Sequence, residues 1–105
     1  MANYLGSILF AIADPTRRSV VEQLGDRPAS VSELHAPHDM ALPTFLKHLQ
    51  VLERAGVVRS EKRGRIRTVH LEPESLAVAQ AWFAQQKRRW ERRLDRLDRL
   101  VRTLE

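Results

Sequence analysis

Residues 42–65 read LPTFLKHLQVLERAGVVRSEKRGR, and a change of period inside this stretch decides the fold. At 100° per residue, Leu42, Phe45, Leu49 and Leu52 cluster on one side of a helix, while Thr44, Lys47, Gln50 and Arg54 fall on or near the other. Pro43 suits the first helical turn, where its missing N–H costs nothing, and Gly56 suits the C′ position just past the end. A helix from Leu42 to Ala55 is therefore expected. Beyond it the pattern becomes strand-like: VVRSEK and RTVHL flank Arg63-Gly64, and Gly64 supplies the positive φ that a tight turn needs. A β-hairpin from Val57 to Leu71 follows.

Upstream, Tyr4, Leu5, Ile8, Leu9 and Ile12 recur at helical spacing and predict a short amphipathic helix that stops before Asp14-Pro15. Asp14 caps a second helix whose first turn holds Pro15 and whose apolar stripe is Val20, Val21 and Leu24. Arg27 to Val31 reads as a connector, after which Ser32 or Ser30 caps a very short helix through Glu33, Leu34 and His35, ended by Pro37. Downstream of Pro73 nothing breaks helix from Glu74 to about Leu104.

Two short helices, a helix with a sharply divided surface and a basic hairpin are, in that order, the parts of a winged helix-turn-helix. A recognition helix needs such a division, because one face anchors to the domain while the other offers hydrogen bonds to base edges and phosphates. The hairpin sets Arg59, Lys62, Arg63, Arg65 and Arg67 against Glu61 alone. That density has no packing use; it suits a wing lying on the phosphate backbone, with Lys62, Arg63, Arg65 and Arg67 as its grip. Arg17 and Arg18, at the start of the second helix, are candidate backbone contacts.

Composition agrees. Eighteen Lys and Arg against thirteen Asp and Glu give a net charge of +5, which favours a polyanionic partner. The absence of cysteine excludes disulfides, thiolate metal ligands and cysteine nucleophiles. His35 and His38 are the nearest thing to a metal pair, but Pro37 between them breaks helical geometry and no third ligand follows. Without a Gly-rich phosphate loop or a nucleophile motif, no enzyme, cofactor or metal site is expected. No apolar run approaches a membrane span and the first residues lack a basic leader, so no membrane partner and a cytoplasmic location are expected.

The segments FAIADPTRRSVVEQL (10–24) and TFLKHLQVLERAGVVRSEKRGR (44–65) resemble the ArsR family of bacterial regulators, across much of the first 71 residues. The resemblance implies a dimeric winged-helix repressor that reads an inverted repeat in double-stranded DNA. It also adds His48, as a DNA contact or a support behind one; on the helical wheel His48 lies at the flank of the apolar face, where packing and a phosphate contact are both open. Two departures stand out. Leu46 occupies a position where the family usually has a small hydroxyl residue, and it either meets a thymine methyl or packs sideways. The cysteines or His and Asp ligands of metal-sensing members are missing, so the release signal is open between a small-molecule effector, another protein and expression level alone.

In the last helix, residues 76, 83, 90, 97 and 104 are Leu, Phe, Trp, Leu and Leu, with Leu94 and Val101 between them. From Trp90 on this is a heptad seam. Thirty-one residues make a helix of about 46 Å, longer than a domain of this size, so part of it projects. Burying Trp90, Leu94, Leu97 and Val101 then calls for a second copy, with Phe83, Leu5 and Ile8 contributing; a helix folded back on its own domain is the alternative. Trp82, Phe83 and Trp90 read as core rather than as an effector pocket. Eight Lys and Arg against four acids from Lys87 to Glu105 read as a solvated face, with Asp95–Arg99 and Asp98–Arg102 as i,i+4 pairs. The expectation is a mainly α chain with a small β-hairpin, one domain over residues 1–105: helix-turn-helix core and wing at 14–71, dimerisation helix at 74–104. A winged-helix protein-interaction adaptor that does not read DNA is the alternative function.

Overall fold

The computed structural model describes residues 4–104, so the first three residues and the last of the expected domain lie outside it. Helix α1 spans Tyr4–Ala13 and turns at Asp14 into α2, Pro15–Gln23. The turn is sharp because Asp14 leaves the helical conformation (φ −84°, ψ 137°) and its carboxylate accepts the Arg17 amide at 3.1 Å, while Pro15 starts the next helix. Ser30 then caps α3, Val31–His35, in a reciprocal box: its hydroxyl accepts from the Glu33 amide and the Glu33 carboxylate accepts from the Ser30 amide.

Helix α4 covers Leu42–Arg54 and ends in a Schellman closure. Gly56 takes φ +74°, its N–H bonds the Glu53 carbonyl at 3.0 Å, and the Val57 N–H reaches back to Leu52 at 3.0 Å. The chain leaves directly into the hairpin of β2 (Val58–Arg63) and β3 (Ile66–Leu71), turned at Gly64 with φ +62°. A strand missed by the sequence reading, β1 at Ala29–Ser30, pairs antiparallel with the far edge of β3, giving a three-stranded sheet in the order β1-β3-β2. The segment expected as a plain connector is thus the edge of the sheet.

Phe45, Leu49 and Leu52 of α4 meet Ile8, Ala11, Val20, Leu34, Val57, Val58 and Val69 in one core. Leu42 does not join them and is 45% exposed. A helical side chain covers the turn before its own Cα, and Leu42, the first residue of α4, has no preceding turn of its own helix to cover. Ile8, expected in a contact between two copies, is completely buried here, so its side chain belongs to the monomer core; Leu5 is half-buried against that core.

Helix α5 runs from Pro73 to Thr103. Its start is anchored by a relay in which the Tyr4 hydroxyl donates to Ser75 Oγ at 2.9 Å and the Ser75 hydroxyl donates to the Gly56 carbonyl, joining α1 and α5 to the exit of α4. Beyond Ala79 it leaves the domain: the molecule measures 70 × 29 × 23 Å and its radius of gyration is 19.1 Å, against about 13 Å for a compact chain of this length. The folded-back alternative is therefore not adopted. Trp82, Phe83 and Trp90, expected as core, are exposed for the same reason, and so are Leu94, Leu97, Leu100 and Val101.

Candidate nucleic-acid interface

The outward side of α4 carries Thr44, Lys47, Gln50 and Arg54, all exposed, over an inward side in which Phe45, Leu49 and Leu52 are at most 1% exposed. Its start is fixed by the turn from α3. His35 donates from Nε2 to the Met40 carbonyl at 2.7 Å, His38 donates from Nε2 to Gln23 Oε1 at 3.1 Å, and both rings lie against Phe45, with centroids 5.1 and 5.3 Å away. The histidines weighed as metal ligands thus brace the turn. Among the described residues there is no cluster of three metal-ligating side chains. Leu46 is half-buried and packs sideways onto the core.

One flank of α4 is tied to α2. Arg17 spreads its guanidinium over three acceptors: Nε to the Ala11 carbonyl at 2.6 Å, one terminal nitrogen to the Phe10 carbonyl at 3.3 Å, the other to His48 Nδ1 at 3.0 Å. Arg18 likewise donates to the Ile12 and Ala13 carbonyls. Both arginines, expected on the DNA backbone, instead satisfy the orphan carbonyls at the end of α1. Arg17 can only donate, so His48 Nδ1 accepts and the ring carries its hydrogen on Nε2. That places His48 as a brace between α2 and α4, with Asp14 3.7 Å away. Burial works against the charge of Asp14, but hydrogen bonds from the Arg17 and Thr16 amides, with the Arg17 charge, outweigh it and hold the carboxyl below its ordinary value.

The other flank faces the wing. Residues paired across the hairpin share a face, so Ser60↔Val69 and Lys62↔Arg67 point to the same side as the buried Val58. Arg67, expected to grip phosphate, turns inward there: its Nε donates to Ser60 Oγ at 3.0 Å and a terminal nitrogen donates to Glu53 of α4. On the opposite face Arg59 is paired with Glu61 and with Glu72; its hydrogen bond pulls the Glu61 carboxyl below its usual range. This leaves Lys62, Arg63 and Arg65, exposed around the Gly64 turn and without an ion pair among the described residues, as the cations the wing presents. A groove lined by Pro43, Leu46, Lys47, Gln50, Glu53 and Arg67 runs between α4 and β3 of the wing.

Strand alternation was the signal that would have found the inward turn of Arg67, two residues before the apolar Val69. Nothing in the spacing pointed to Glu53. The dimerisation candidates Phe83, Trp90, Leu94, Leu97 and Val101 lie on the free part of α5, well away from this interface.

A helix-turn-helix domain family matches residues 12–61. The chain is 38% identical over 68 residues to the HTH-type transcriptional regulator Rv2034 of Mycobacterium tuberculosis, covering 65% of this chain and 64% of that one. It is 38% identical over 60 residues to the HTH-type transcriptional repressor SmtB of Mycobacterium tuberculosis, covering 57% of this chain and 44% of that one. Each match thus spans less than two thirds of the relative. The crystal structure of an ArsR family transcriptional regulator, RHA00566, is similar over 84% of this chain and 97% of that chain, with 49% identity and a TM-score of 0.80.

Proposed function

The chain belongs to the ArsR family of transcriptional regulators, and from that premise we propose that it binds a two-fold symmetric operator in duplex DNA as a homodimer and represses transcription there. The observation that carries this reading is a rigidly held helix that exposes Thr44, Lys47, Gln50 and Arg54 and leads into a wing whose Lys62, Arg63 and Arg65 are exposed and without an ion pair among the described residues. In this reading α4 enters the major groove, where Lys47 suits guanine O6 or N7 and Gln50 suits adenine. Lys62, Arg63 and Arg65 follow the adjoining backbone or minor groove. The exposed stripe Trp90, Leu94, Leu97 and Val101 pairs the protomers. We assign the chain no catalytic role, no metal and no cofactor, treat it as one domain, and place it in the cytoplasm with its DNA. No helix among the described residues is long and apolar enough to cross a membrane.

Selection of a random duplex pool on the purified protein at two salt concentrations tests the reading. The expected result is enrichment of an inverted repeat with half-sites about one helical turn apart, with affinity falling as salt rises and Lys47→Ala weakening operator binding without loss of fold. Retention with no enriched motif would give the fold to the protein-interaction adaptor.

A further inference from the structure

Glu53 is out of place on a surface built for a polyanion. It sits in the last full turn of α4, at the floor of the groove that Lys47 and Gln50 border, where a bare carboxylate would repel a phosphate backbone. It is not bare. Its Oε1 accepts both the Ser60 hydroxyl of β2 and a terminal N–H of Arg67 of β3, while Arg67 Nε closes the triangle on Ser60 Oγ. One carboxylate on the recognition helix therefore holds both strands of the wing at once. The pairing is half-buried, with side-chain exposures of 27% for Glu53 and 38% for Arg67, so bulk water screens it only in part. Arg67 is a wing cation that the fold withholds from DNA.

The leverage of this position follows from the hairpin's geometry. Beyond Ser60 the wing extends three more residue pairs' worth of strand to the Gly64 turn, roughly 10 Å at the rise of a β-strand. A small rotation at the triangle displaces Lys62, Arg63 and Arg65 by much more at the tip. Phosphate contacts carry no sequence information, but they fix the register in which a recognition helix meets base edges.

We propose that the Glu53–Ser60–Arg67 triangle is a latch that sets the angle between recognition helix and wing, making Glu53 a specificity-determining positioning residue that gives up one phosphate contact to hold the register. The proposal rests on the operator-binding reading above. Glu53→Gln keeps size and an acceptor oxygen but loses the charge that retains Arg67. In the full-length protein, E53Q should bind random duplex more tightly and steepen the plot of log affinity against log salt by about 0.9, one additional phosphate. Its preference for the selected operator over random duplex should fall about tenfold, the effect of one lost charge-assisted hydrogen bond. Adding E53Q to an Arg67→Met protein frees no cation, so the additional slope of about 0.9 should be absent there. Ser60→Ala, which slackens the triangle with both charges in place, should lower preference with the slope unchanged and serves if E53Q does not fold. A wild-type slope and preference in E53Q and S60A would overturn the latch while leaving operator binding standing. A wild-type protein that shows no sequence preference at all would remove both readings.

Discussion

Asp14 closes the turn between α1 and α2 by accepting the Arg17 amide, and Arg17 in turn reaches His48 of α4. Its carboxyl is held below the ordinary value of 3.8. A depressed acid contributes stability that is fully present above that ordinary value and is lost as pH falls through the depressed one. Asp14→Asn, which can still cap, should therefore unfold more easily than wild type near neutrality, with the gap closing as pH falls below the ordinary value of this carboxyl. Asp14→Ala should lose about 1 kcal/mol in addition to that, the usual worth of an N-cap. Denaturant titrations at several pH values check both; a gap for Asp14→Asn that persists in acid would mean the charge is not what stabilises.

The same residues show where reading by type alone fails. Charge and position marked Arg17, Arg18 and Arg67 for DNA, yet each also has acceptors within the protein. Their acceptors, backbone carbonyls at a helix end and a carboxylate on another element, are created by the fold and leave no periodic trace in the sequence. Lys47 and Gln50 were legible because a helical period alone decides which side of α4 they occupy.

At the scale of elements, α4 and its exit into the hairpin followed from apolar spacing and two glycines, whereas β1 escaped because two residues carry no period. Gly56 is the joint on which this region depends. It holds φ +74°, and a Cβ there would lie 3.4 Å from Ser75 Oγ and 3.7 Å from the Tyr4 hydroxyl. Those are ordinary contacts, so the cost of Gly56→Ala lies in the left-handed backbone, at the point where the relay that seats α5 attaches. The expected cost exceeds about 1 kcal/mol, with protection of the Val57 amide from hydrogen exchange reduced first. A melting temperature equal to wild type would show that the α4 exit tolerates another closure.

For the molecule as a whole, the decisive feature is a helix that outruns its domain. The last buried residue is Ala79, so a chain ending after Arg89 keeps the whole core and loses Trp90, Leu94, Leu97 and Val101. That protein should fold, sediment as a monomer and bind the operator weakly; a truncated protein that still sediments as a dimer would assign the pairing to α1 and the anchored part of α5. The heptad and the length of α5 were legible without coordinates, because neither depends on contacts within one protomer. The exposure of Trp82 and Phe83 was not, since only the direction in which α5 leaves the domain decides it.

The proposed pairing through α5, away from the proposed reading surface, has a consequence for dosage. When a reader is assembled from two chains, the amount of assembled reader rises with the square of chain concentration while monomers predominate. Occupancy of the operator then climbs more steeply than synthesis of the protein. The unpartnered stripe on α5 would in this way turn the cell's own production rate into a threshold input, requiring no ligand to be sensed.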